Sequence, residues 1–135
     1  MGVYKDLESE FDYDIVEDFF NHYSYMSEAL DRLIIDLKNE QKYKRNINEI
    51  FRVFHNIKSS SSFLKITPLQ KLASLTEEIL EECRLLEGSA SEELINWLLS
   101  VSDQLKAYKI DLENDSEEFS ALNRAIIKIP TKLSA

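Results

Sequence analysis

Apolar residues recur along this chain at steps of three and four, and no stretch alternates apolar with polar at a step of two. That is the helical period, so the pattern predicts an all-α chain with no competing strand. Ile15, Phe19, Tyr23, Met26, Leu30, Leu33 or Ile34, and Leu37 trace a long first amphipathic helix, expected from about Asp12 to Glu40. Residues 1–11 read as a loosely ordered lead-in. The charged segment Gln41 to Arg45 is expected to link that helix to a second one starting on Asn46, with Glu49 completing a capping box. The second helix carries Ile47, Ile50, Phe51, Phe54, Ile57 and Ser61 on one side and runs to about Lys65. Thr67 as N-cap and Pro68 in the first turn restart the chain.

Leu69, Leu72, Ala73, Thr76, Ile79 or Leu80, Cys83 and Leu86 form the third stripe, which Gly88 can close. Ser89 to Ser91 opens a fourth helix bearing Leu94, Leu98, Val101, Leu105, Tyr108 and Leu112. After a break at Asn114 to Ser116, Phe119, Leu122, Ile126 and Ile129 predict a short fifth helix ending before Pro130. Short links favour antiparallel neighbours, so the expected architecture is a single domain over residues 1–135. It is an antiparallel up-down four-helix bundle with the short fifth helix packed alongside.

Composition supports long helices, because the 135 residues include only 2 Gly and 2 Pro. With 16 basic and 25 acidic residues the formal charge is −9, so the surface as a whole repels nucleic acid and anionic membranes. No apolar run approaches transmembrane length, the start carries no signal-peptide pattern, and Asp6 stands where a myristoylation motif needs Ser or Thr. Cys83 is the lone cysteine and cannot form an internal disulfide, which suits a reducing, cytoplasmic location. Two histidines and one cysteine, far apart in the pattern, do not make a zinc site, and no glycine loop is present to cradle a phosphate. Neither a cofactor nor autonomous catalysis is therefore expected.

The candidate chemistry lies on the second helix. With Phe54 at the centre of the buried side, His55 falls about 100° away, on the shoulder between core and water. Lys58, three residues on, shares its face, and Ser59 and Ser62 beside it add little bulk. His55 is thus a half-exposed nucleophile with a cation and a clear approach. Glu77 sits about 100° round the third helix from Thr76, in the same rotational sense. His55 and Glu77 also lie eleven positions either side of Ile66, so antiparallel packing brings the carboxylate to the imidazole at similar height. A carboxylate on one ring nitrogen fixes the tautomer and frees the other nitrogen's lone pair. By contrast, His22 among Phe19, Phe20 and Tyr23 reads as a packing or boundary histidine, and Arg52 and Arg84 as surface residues.

The stretch Phe51-Arg52, His55-x-x-Lys58, Phe63-Leu64, continuing through Leu69-Gln70 to Glu77 and Arg84, resembles histidine-containing phosphotransfer domains. It is most similar to the phosphoacceptor domain at the front of CheA-type chemotaxis histidine kinases. The family motif reads His-x-x-Lys-Gly with further glycines behind it; here Ser59 and Ser60 replace glycines and Lys65 stands where another is usual. Ser74 occupies a position where relatives often carry a second histidine. The resemblance implies a helical bundle in which His55 accepts and donates a phosphoryl group, Lys58 stabilises its charge and Glu77 orients the imidazole, with Ser59 and Ser62 at the partner's approach. It implies as partners a histidine kinase catalytic domain and a response-regulator receiver domain, which would supply any ATP and Mg. The alternative, favoured by the serines, is a non-catalytic helical interaction module that keeps the fold without phosphotransfer.

Overall fold

The computed structural model describes residues 2–135. It contains six α-helices: α1 (Val3–Glu10), α2 (Tyr13–Ile35), α3 (Glu40–Phe63), α4 (Thr67–Arg84), α5 (Glu92–Glu113) and the single turn α6 (Arg124–Ile127). No strand occurs among the described residues; Ala90 and Ser134 form one isolated antiparallel bridge. Helices α2 to α5 make the antiparallel bundle, with α3 packed most extensively on α4, and α2 flanked by α3 and α5. All six apolar residues expected from α5 are buried, as are Leu69, Leu72, Ala73, Thr76, Ile79, Leu80 and Cys83 of α4. The Cys83 thiol, enclosed in the core, has its pKa pushed up to about 12 by burial.

Several boundaries differ from the pattern-based expectation. The lead-in is helical over Val3–Glu10 because its first amides find distant acceptors. The Asp115 carboxylate accepts from the amides of Tyr4 (3.1 Å) and Lys5 (3.0 Å), and the Ser116 carbonyl from Val3 (2.7 Å). The first long helix stops at Ile35, and a 3-10 turn over Asp36–Lys38 turns the chain. The segment Gln41 to Arg45 is not a linker but the first turns of α3, capped by Asn39, whose side chain accepts from the Gln41 amide (2.9 Å). Tyr43 is buried there with its hydroxyl donating to the Cys83 carbonyl (2.9 Å). Asn46 is no cap; it lies in the core, donating to the Leu33 carbonyl (3.2 Å).

The phase of α2 is also one residue off at its start: Val16 is buried, whereas Ile15 is 41% exposed. Thr67 is the first helical residue of α4 rather than its cap, and Leu86 and Gly88 lie beyond the helix end. The expected fifth helix over 119–129 shrinks to the one turn α6, because side chains of α5 hold the backbone before it extended. Asp111 accepts from the Ser120 amide (2.7 Å), Gln104 from the Asn123 amide (2.9 Å), and Trp97 donates to the Ile126 carbonyl (3.0 Å). Ile126 is buried, while Leu122 and Ile129 are exposed.

The serine run is helical to Phe63. Ser61 faces the core and its hydroxyl donates back to the Ile57 carbonyl (2.6 Å), which satisfies it without a partner from another element. The helix then closes on a Schellman motif, the Ile66 amide reaching the Ser61 carbonyl (2.8 Å) and the Lys65 amide that of Ser62 (3.2 Å). Lys65 takes the left-handed position, φ +59°, which is normally given to glycine. This accounts physically for the glycine that the resemblance would put there.

Candidate functional site

The α3–α4 seam brings the three expected side chains together. His55 Nδ1 lies 3.2 Å from Glu77 Oε1, and Lys58 Nζ lies 2.9 Å from Glu77 Oε2. The His55 side chain is 54% exposed, Lys58 36% and Glu77 13%, so the carboxylate forms the floor and the imidazole the accessible edge. Partial burial alone would raise the Glu77 pKa. Hydrogen bonds and charge from Lys58 and His55 outweigh it and hold the carboxyl below the ordinary glutamate range. An ionised carboxylate only accepts, so His55 meets it as Nδ1–H and keeps the Nε2 lone pair free. That pair is chemically a nucleophile, on a side chain that is more than half exposed.

Beside this triad the structure places two groups that the residue pattern marked only as helix face or surface. The Phe51 ring lies nearly parallel to the imidazole, at 12° and a centroid distance of 6.1 Å. The Arg84 guanidinium sits 4.3 Å over the Phe51 ring, with Nε donating to Asn48 Oδ1 (3.2 Å). Phe51 could have been found from its i, i+4 spacing to His55.

On the other side of α3 an open groove of about 470 Å³ runs between α2 and α3, with Phe19, Met26, Ile57 and Phe63 among its lining. Ser59 and Ser60 line it, and so does His22, which is exposed there rather than packed inside. Ser62 is exposed but lies outside the groove lining.

Comparison with known proteins gives a match to the family model described as Hpt domain over residues 14–123. The chain belongs to the Hpt domain family. Among curated relatives, it is 30% identical over 117 residues to the chemotaxis protein CheA of Salmonella typhimurium, covering 84% of this chain and 17% of that protein. It is likewise 30% identical over 105 residues to the sensor histidine kinase CheAY of Helicobacter pylori, covering 78% of this chain and 13% of that protein. The chain thus spans less than a fifth of the length of these relatives. No solved structure matches it. As an Hpt domain it carries the bundle expected of the family, and no helix among the described residues is long and apolar enough to cross a membrane.

Proposed function

We propose that this Hpt domain is a phosphocarrier of two-component signalling, in the chemotaxis branch, with His55 as phosphoacceptor. In this reading the Nε2 lone pair attacks the phosphorus of a kinase-bound ATP or a receiver aspartyl phosphate. The bond from phosphorus to the donor oxygen breaks, and its electron pair leaves with that oxygen. In the onward step a receiver aspartate attacks the phosphorus and the electron pair of the N–P bond returns to Nε2. Glu77 holds Nδ1–H throughout and offsets the positive charge of the phosphorylated ring, while Lys58 turns from Glu77 toward the incoming phosphoryl oxygens. Phosphoryl transfer depends mainly on such positioning and charge neutralisation, so the metal and nucleotide belong to the partner domains.

The observation that carries this reading is the Nδ1 contact to a low-pKa carboxylate on a half-exposed imidazole with an ammonium one turn away. The apolar groove at Ser59 and Ser60 supports approach of a receiver from the α2 side. The test is incubation with a phosphorylated receiver or a kinase catalytic domain, followed by assay for acid-labile, base-stable phosphate. Wild type and His22→Gln are expected to take label and His55→Gln to take none while remaining folded. Label persisting in His55→Gln refutes the assignment, and a folded wild type that accepts phosphate from no donor makes the non-catalytic module the correct reading.

A further inference from the structure

A single hydrogen bond at one ring nitrogen selects the tautomer but tolerates a broad range of angles, so at 3.2 Å it restrains the side-chain torsions, and with them the plane of the ring, only loosely. For His55 the Glu77 contact therefore determines which nitrogen is free, and leaves a range of directions to the free lone pair. The lone pair must point along the line to phosphorus, so the plane matters for the rate as much as the tautomer does. The structure holds a second constraint suited to this. Phe51, one turn earlier on α3, lies nearly parallel to the imidazole, at 12° and 6.1 Å between centroids, within the range at which aromatic pairs attract.

Phe51 is itself held. Arg84 reaches across from α4 to lie 4.3 Å over its ring, a cation–π placement. The guanidinium is fixed by Asn48 Oδ1 (3.2 Å) and Glu81 Oε1 (3.3 Å), and its own backbone carbonyl accepts from Lys44 Nζ (3.2 Å). Arg52, equally basic and next to Phe51 in the chain, pairs among the described residues with Glu49 (3.2 Å) instead. We infer that Phe51 and Arg84 are positioning residues: Arg84 fixes Phe51, and Phe51 fixes the plane of the His55 imidazole, so that Nε2 is aimed while Glu77 sets the tautomer. This rests on the reading of His55 as the phosphoacceptor.

The experiment uses phosphoramidate as a small donor, so that no protein docking enters the rate. The Nε2–P bond forms, the donor's P–N bond breaks and ammonia leaves. Alongside it, 13C relaxation of the His55 ring reports its mobility, and 15N shifts report its tautomer. Phe51→Leu and Arg84→Gln are expected to slow labelling about threefold to tenfold, the scale set by the attraction of one oriented aromatic pair. Both should loosen the ring while leaving the Nδ1–H tautomer unchanged. Arg84→Lys should restore part of the rate, since the cation over the ring returns, and Arg52→Gln should behave as wild type. Arg84 touches neither the donor nor His55 and is exposed, so its variant stays informative even where Phe51→Leu loses stability. Wild-type rate and ring mobility in Arg84→Gln overturn the inference alone. An unlabelled wild type overturns the phosphoacceptor reading and the inference with it.

Discussion

Glu77→Ala tests the site where its geometry is most specific. The carboxylate serves two partners, His55 at 3.2 Å and Lys58 at 2.9 Å, and is itself only 13% exposed. A hydrogen bond to a charged group contributes about 1.5–3 kcal/mol. With the imidazole half in water the lower end applies, about 1.5 kcal/mol, which corresponds to about a tenfold loss in transfer rate. Glu77→Gln keeps an acceptor for Nδ1–H and should lose less. The effect on stability should be smaller, about 1 kcal/mol or below, because Lys58 is over a third exposed and solvent screens its pair. The pH dependence has a definite sign. The folded Glu77 pKa is below its unfolded value, so its stabilisation is complete above the unfolded pKa and is lost as pH falls through the folded one. Glu77→Ala should therefore flatten the acid limb of the stability curve. Transfer is followed by label uptake, the tautomer by 15N shifts of His55, and stability by urea unfolding at several pH values. A variant that retains the Nδ1–H tautomer and transfers within twofold of wild type would refute the role of Glu77.

Ser59→Gly should lower stability by about 0.5 kcal/mol, since glycine is the poorer helix former, while speeding transfer from unrelated receivers by removing a side chain that lines the α2–α3 groove. Unchanged transfer with every receiver tried would mean that Ser59 is no steric gate. Lys65→Gly should raise stability by about 1 kcal/mol, or about 3–5 °C in Tm, because a side chain at φ +59° costs about that much. Absence of a gain in thermal unfolding would count against strain at that position.

How far the pattern reads through to the fold depends on what surrounds each helix. For α5, and for α4 as far as Cys83, the expected stripes coincide with the core; Leu86 falls beyond the end of α4 and is only partly buried. At the start of α2 the neighbours Ile15 and Val16 are both apolar, and period alone does not choose between them; tertiary contact does, burying Val16. The run Gln41 to Arg45 has one apolar residue, Tyr43, and four polar ones on the outside of α3, so its composition reads as a link although its geometry is helical. Helix α1 and the extended arm after α5 could not be read locally. Their backbone groups are satisfied by Asp115, Asp111 and Gln104, which lie 9 to 111 residues away.

The site was more readable than these ends because a single register governs it. Antiparallel helices joined by a short turn pair residues equally distant from it, and the turn here centres on Ile66. His55 and Glu77 each stand eleven residues from Ile66 and meet at 3.2 Å. Continuing two turns further along both helices, Asn48 and Arg84 each stand eighteen residues away and also meet at 3.2 Å. The same rule that predicts Glu77 thus carries Arg84 out of the surface class and into the seam beside Phe51. It also divides the acidic run of α4. Glu77 faces α3, Glu81 turns to Arg84, and Glu78 and Glu82 remain on the exposed side. Since register and rotational phase are both counted from the turn, one residue gained or lost there would displace each pair in the seam together, by about 1.5 Å and 100° on one helix. The Schellman closure around Lys65, including its left-handed residue, is therefore part of what aims His55 as well as what ends α3.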